Sequence, residues 1–389
     1  MSAPPLPTDA GRGFAARVGT LVPTVLSSLG AVAIALLAGA VVIVLSGQDP
    51  ILAYRAMLEG ALAGKRPLAE TLVAATPLIL GGLAFAVAAQ AGLFNIGIEG
   101  QMMVGGMAAG LAGAAGWPLP AVIYLPLAIV IGALAGGIWG GVPGYLKAKT
   151  GAHEVITTIM LNYLAIELSI FVLNQQDHLP VRPDLQATEK AVPAALLPKL
   201  LPGTRLHGGL ILALLGAVAL WYLLYRTTLG YKLRTVGQSR GAAAYAGISW
   251  GRAITLAMFL SGVLGGIAGA SEALGLQGRY YGVSTGYGYT AIAVGLVGGN
   301  NPFGVIFAGL LFGALSAGAN RMQATAGTSK DLVSVLLGLV ILSVSAFAAI
   351  DAYRRRRKQA ARARSGVRDR ASAGAGEPEV ERQPEAPAL

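Results

Sequence analysis

The sequence predicts an all-α, polytopic membrane protein with about ten transmembrane helices, some of them broken or re-entrant. Three observations carry that prediction. Of 389 residues, 54% are hydrophobic and 12% charged, against about 25% charged in soluble domains, and the mean hydropathy is +0.64. Glycine occurs 55 times, much of it inside apolar runs. There it would weaken a soluble helix by roughly 1 kcal/mol per residue, yet it lets membrane helices approach closely. Apolar runs also recur along the whole chain, several near the ~20 residues that a bilayer crossing needs.

Taken in order, residues 1–27 are polar and Pro-containing and read as a cytoplasmic N-terminal segment. The first apolar run, 28–46, has 19 residues, longer than the roughly 7–15 of a cleaved signal. It reads as the first helix of a transmembrane domain covering 28–350. Further spans are expected at about 71–90, 102–116, 119–144, 155–174, 209–225, 253–273, 287–299, 303–319 and 332–349. The connection 226–252 holds five Lys/Arg and no acid, whereas 175–208 holds three acids against four bases. The positive-inside rule makes the first cytoplasmic and the second external. The run 352–370 carries nine Lys/Arg and one Asp, so most of the net charge of +11 sits in the tail. A basic segment after a last span reports cytoplasmic orientation and contact with anionic lipid. With no aromatic or folded module beside it, it does not point to nucleic acid. Both termini are then cytoplasmic, and the tail 351–389 ends in an Ala/Gly/Pro/Glu-rich stretch expected to be disordered.

Catalytic motifs fail on inspection. GVSTG (282–286) has the spacing of a nucleophile elbow but lies between membrane helices in a chain with three histidines. His153-Glu154 is followed by Thr157 where a second zinc ligand would stand. GALAGKR (60–66) lacks the spacing and hydroxyl of a phosphate loop. With no cysteine, thiolate chemistry and zinc–thiolate sites are excluded. No metal site or cofactor is expected in this chain.

Intramembrane polar residues are the stronger signal, because a mid-bilayer charge costs about 2.5–3.5 kcal/mol. Glu154 reads as an N-terminal-turn carboxylate favoured by the helix dipole, and Glu167 and Glu272 as groups near the external interface. Glu99 is different: it sits in GLFNIGIEGQMMVGG (92–106), with apolar residues on both sides and glycines that argue against a continuous helix. Two readings stand. Glu99 caps backbone N–H groups freed at a helix break, or it lines a solute path. Asn95, Glu99, Asn162 and Asn300 are the candidate path residues. Weak similarity between 95–110 and 288–304 suggests a two-fold internal repeat of broken segments, as in repeat-built transporters.

Four segments then carry a resemblance: 92–106, GAHEVITTIMLNYLA (151–165), TTLGYKLRTVGQSRGAAAYAGIS (227–249) and GYGYTAIAVGLVGGNNPFGVIFAGLLFGAL (286–315). In that order they resemble the permease subunits of bacterial ABC importers in the branched-chain amino acid/simple-sugar permease family, most like nucleoside-type members. The resemblance covers roughly 30–350. It implies a subunit in the bacterial cytoplasmic membrane with no ATPase site of its own, driven by ATP-Mg bound to cytoplasmic partner ATPases. The implied partners are that ATPase, a second permease chain and an external solute-binding lipoprotein. It places ATPase coupling on Arg234, Gly237, Ala243, Ala244, Tyr245 and Gly247. The cargo is expected to be a nucleoside, with a ribose-type sugar or a branched-chain amino acid as alternatives; a self-sufficient secondary transporter or channel is the reading of a different class.

Overall fold

The computed structural model describes residues 33–327 and scattered positions from 329 to 346. The segments 1–27 and 351–389 and most of the expected span at 332–349 lie outside the described residues. The chain divides into a main unit, Ala35–Ile341, and a unit formed by its two termini; the helices below belong to the main unit, apart from the first two residues of the first helix.

In order they are α1 (Ala33–Leu45), α2 (Pro50–Leu62), α3 (Lys65–Gln90), α4 (Ile98–Ala114) and α5 (Ala121–Thr150). After α6 (Glu154–Leu173) comes a two-stranded hairpin, β1 (Val181–Arg182) with β2 (Ala187–Thr188). Then follow α7 (Gly209–Arg226), α8 (Thr228–Gln238), α9 (Arg240–Tyr245), α10 (Trp250–Ser271), α11 (Tyr287–Val297) and α12 (Pro302–Ala326). Among the described residues six helices are long and apolar enough to cross a membrane: α3, α5, α6, α7, α12, and α10 with its extension to Gln277. α1 and α11 are shorter apolar helices, and α4 has 17 residues. The expected spans at 102–116 and 287–299 correspond to α4 and α11, the shorter helices. α2 is a helix that the list of expected spans did not contain.

Short polar side chains set the helix starts. Asp49 accepts the amides of Ile51 and Leu52 beneath Pro50, and Asn301 those of Phe303 and Gly304 beneath Pro302. Thr227 and Ser239 do the same for α8 and α9. Each such cap is worth about 1 kcal/mol.

The centre of the bundle is α3, whose residues from Leu78 to Ala88 are all buried, wrapped by α10, α11, α12 and α7. The α5–α10 contact explains part of the glycine content. A Cβ built on Gly136 would lie 2.6 Å from Gly266 Cα, and one on Gly140 2.8 Å from Gly262 Cα. Backbones touch there, which supplies packing attraction without a hydrophobic force. α6 and α7 lie outermost and present apolar side chains such as Ile156, Phe171, Leu215 and Tyr222 outward.

Candidate functional site: two helix breaks joined by Glu99

The first break follows α3. Gly92 adopts φ +77°, and a Cβ there would press within 3.2 Å of Gly237 on α8, so glycine is required for both conformation and approach. Residues 93–97 then run back into the bundle without helical bonds, and α4 starts at Ile98. The backbone groups this frees are satisfied by side chains, as a water-poor interior demands. Asn95 Oδ1 accepts the Gly97 N–H at 2.8 Å, while its amide donates to Ser261 Oγ at 2.7 Å and Gln101 Oε1 at 3.3 Å. Ser261 donates onward to the Ala84 carbonyl. Asn162, from α6, bridges the gap: Oδ1 accepts the Gly100 N–H at 2.9 Å and Nδ2 donates to the Ile96 carbonyl at 3.0 Å. Asn95, Gln101, Asn162 and Ser261 are all buried.

The second break follows α10. That helix widens into a π-turn over Glu272–Gln277, after which residues 278–286 form a strap leading to α11. The outer part of the strap pairs with the 186–191 stretch. Thr188 and Tyr280 exchange two bonds, Gly282 donates to the Gln186 carbonyl, and Ala191 donates to the Gly278 carbonyl.

Glu99 joins the two breaks. Its Oε1 accepts the Ser284 hydroxyl at 2.5 Å and the Gly286 N–H at 3.0 Å; its Oε2 accepts the Gly288 N–H at 2.6 Å. A Cβ on Gly288 would fall 2.5 Å from Glu99 Cα, so α11 meets α4 backbone to backbone. The far end of α4 packs at Gly113 against Ala191 and Ala195 of the 175–208 loop. The far end of α11 lies beside the end of α3, where Gln90 Nε2 donates to the Asn300 carbonyl. Two half-helices therefore start at one point and diverge to opposite ends of the bundle. Each N-terminus carries roughly half a positive charge, and Glu99 places its carboxylate between them.

The structure brings Asn95, Glu99 and Asn162 into one network. It puts Asn300 elsewhere, at the opposite end of α11, about 16 Å away at 1.5 Å per residue, with φ +54°. Among the other acids, Glu154 stands in the first turn of α6 and pairs with Lys147, as expected. Glu167 is exposed on α6. Glu272 departs from expectation: its Oε1 is sealed from solvent and has no hydrogen-bond partner among the described residues. In the basic loop, Ala243 is buried, and Gly237 abuts Gln90–Gly92 so closely that a Cβ would overlap their backbone. Arg234 stacks 5.0 Å above the Tyr225 ring. Ala244, Tyr245 and Gly247 are exposed, Tyr245 at 97%.

Two cavities flank the strap. An open cleft of about 910 Å³ lies between α3, α10, α12 and the strap, lined by Glu70, Arg205, Glu272, Ser284, Tyr287 and Asn320 among others. Beside it a smaller space of about 70 Å³ touches Glu99, Met102 and Arg279. Glu272, Gln277, Tyr281, Val283 and Thr285 belong to both walls. The strap residues were legible only as a glycine- and tyrosine-rich connection; an acid followed by QGRYYGVSTGYGY was the available signal. The 175–208 loop braces the π-turn, since Lys199 Nζ donates to the Gly275 carbonyl at 2.8 Å. Burial, with Lys199 nearby, pushes His207 down to about 4, and its Nδ1 accepts the Gly209 N–H.

Discontinuous helices whose N-termini converge inside a membrane bundle, beside a cleft open at one end, define a multi-pass membrane protein of the transporter class. The particular family follows from comparison. Residues 68–345 match the model for the permease component of branched-chain amino acid transport systems, and the chain belongs to that family. It is 39% identical over 324 residues to the guanosine ABC transporter permease protein NupP of Bacillus subtilis, covering 82% of this chain and 92% of that one. It is 34% identical to the nucleoside ABC transporter permease protein NupB of Lactococcus lactis, over 82% of this chain and 90% of the relative. The glucose ABC transporter permease protein TsgB13 of Haloferax volcanii is 36% identical, over 83% and 86% respectively. No solved structure matches. The chain is an ABC transporter permease.

Proposed function

We propose that this permease moves nucleosides inward across a cytoplasmic membrane as one of two membrane subunits, powered by ATP-Mg on partner ATPases and supplied by an external binding lipoprotein. The observation that carries the reading is the likeness to two nucleoside-type permeases over four-fifths of the chain. The paucity of charge in the spans favours a neutral cargo. In this reading α8–α9 is the cytoplasmic surface on which the ATPase docks, and the 175–208 loop is external. Ala244, Tyr245 and Gly247 form the docking face, while Arg234, Gly237 and Ala243 fasten it to the bundle. Closure of the ATPases moves α8, and Gly237 passes that motion to Gln90–Gly92, where the first break begins. The Asn95–Glu99–Asn162 network keeps the two half-helices together as the cleft changes the side to which it opens, the differential contacts between states setting access. The chain contributes geometry and no bond chemistry.

The test is uptake of labelled guanosine by vesicles holding this chain with its ATPase, companion permease and lipoprotein. ATP-dependent uptake that stops when the ATPase is omitted supports the reading; uptake by the chain alone establishes a self-sufficient transporter instead. Tyr245→Asp should cut uptake at least tenfold, with membrane insertion unchanged. Undiminished uptake and ATPase binding would remove α9 from the docking face. The 36% likeness to the glucose permease favours sugar as the second reading, and competition of guanosine uptake by glucose separates the two.

A further inference from the structure

We propose that Glu272 is a solute-binding residue of the open cleft, its carboxylate turning toward the neutral cargo to accept a pair of hydrogen-bond donors. This rests on the importer reading above and adds the residue and contact chemistry that select the cargo.

Five observations converge. Glu272 interrupts the apolar, small-residue run GGIAGASEALGL, where an acid carries a membrane-insertion cost of a few kcal/mol. It also opens the π-turn Glu272–Gln277, a geometry that sacrifices regular helical bonds and concentrates at functional sites. Lys199 of the 175–208 loop holds that turn by its Gly275 carbonyl, so the position of Glu272 is braced from outside the helix. The cation nearest in effect, Arg205, turns the Nε–Nη2 edge of its guanidinium to both oxygens of Glu70 and makes no hydrogen bond to Glu272 Oε1. Glu272 Oε1 is sealed from solvent without a hydrogen-bond partner among the described residues. A buried polar atom left unpaired is destabilising, and rotation of the carboxylate toward a ligand donor in the cleft removes that cost.

The cleft fits such a cargo. Its volume of about 910 Å³ lies within the roughly 300–1,000 Å³ of small-molecule sites. The space of about 70 Å³ beside it is too small for one. Tyr281 and Tyr287 line the cleft and supply flat, amphipathic surface for a ring, with Asn320 and Ser284 as further polar partners. A carboxylate takes two adjacent donors with high selectivity, because an analogue lacking one leaves the carboxylate unpaired again. The donor pair has two sources on a nucleoside: the N–H edge of the base, or the vicinal hydroxyls of the ribose.

The experiment uses the assembled transporter in vesicles with labelled guanosine. Glu272→Gln should raise KM for uptake roughly tenfold to a hundredfold, as expected for one lost charge-assisted bond, while maximal rate and amount of inserted protein stay within twofold. Unlabelled inosine, which lacks one base donor, and 2′-deoxyguanosine, which lacks one ribose hydroxyl, serve as competitors. The analogue whose weaker competition disappears in the variant identifies the donor pair. An unchanged KM in Glu272→Gln overturns the proposal, as does a fall in maximal rate alone. If the wild-type transporter takes up glucose and no nucleoside, the nucleoside reading fails separately. The same KM comparison is then read with labelled glucose, whose hydroxyl pairs offer the same chemistry.

Discussion

The two breaks have the same plan and opposite finish. Both interrupt an apolar helical run with a glycine-rich stretch, and both deliver a helix N-terminus to Glu99. In the first, residues 93–97, the polar side chains are paired inside the chain: Asn95 with Gly97, Ser261 and Gln101, and Asn162 with Gly100 and Ile96. In the second, residues 272–286, sealed polar atoms lack hydrogen-bond partners among the described residues, at Glu272 Oε1 and Arg279 Nη1, and the stretch lines both cavities. Polar groups paired within the chain rigidify a core; groups left open in a cavity are available to a ligand. The first break is therefore the lock, and on the proposal made above the second is the face that meets the cargo.

That contrast can be broken most severely at the point the two share. Glu99→Ala removes an acceptor of three hydrogen bonds and leaves the Gly286 and Gly288 amides unpaired. A bond to a charged group is worth about 1.5–3 kcal/mol, so the loss should reach about 5 kcal/mol. Little folded protein should survive detergent extraction, and uptake should vanish; near-normal thermal stability in detergent would show that Glu99 is not the tie between half-helices. Glu99→Gln keeps one acceptor and should lie between the two. Asn162→Leu keeps the volume but strands the Gly100 N–H and the Ile96 carbonyl, for about 3 kcal/mol. Its effect should appear as a lowered unfolding temperature with KM unchanged, the reverse of the pattern expected at the second break.

The helices and the first break were readable because membrane insertion makes each polar residue costly, so Asn95, Glu99 and Asn162 stood out against their surroundings. Glu99 was left open between capping and lining a path, and the geometry explains why one sequence window could not decide. The amides it caps belong to Gly286 and Gly288, nearly 190 positions away. The resemblance between 95–110 and 288–304 corresponds to two half-helices that begin at this point. The sealing of Glu272 Oε1 was not legible for a related reason. Distance along α10 placed it near an interface, but its exposure is set by the strap and the 175–208 loop folding over it, which helical periodicity does not encode. Residues 50–62 did not register as a span, and the helix they form is 13 residues long.

The 175–208 loop tests how firmly the second break is braced. His207 is buried beside Lys199 and holds its proton only near pH 4 in the fold, against about 6.5 when exposed. Its folded value is the lower one, so the unfolded loop binds the proton first on acidification. The loop's anchoring is complete above pH 6.5, weakens as pH falls toward 4, and changes no further below. The full loss is about 3 kcal/mol at most. Amide exchange across 175–208 should rise between pH 7 and 5 after correction for intrinsic rates, while exchange in 93–101 does not. A loop equally protected at both values would detach His207 from its anchoring.

The smallest effect is expected at Asn300, which the sequence grouped with the path and the structure separates from it. Its backbone holds φ +54°, a conformation glycine adopts without strain. Its side-chain oxygen is sealed and makes no hydrogen bond among the described residues, and what binds Gln90 is its main-chain carbonyl. Asn300→Gly keeps that carbonyl, removes the unpaired oxygen and relaxes the turn, at the cost of a more flexible unfolded chain. These terms offset, so stability should move by less than about 1 kcal/mol and uptake by less than twofold. A tenfold loss of uptake at normal expression would return Asn300 to the cargo route. The far end of α11 would then be a third polar contact for the cargo, and the division of labour between the two breaks would no longer suffice.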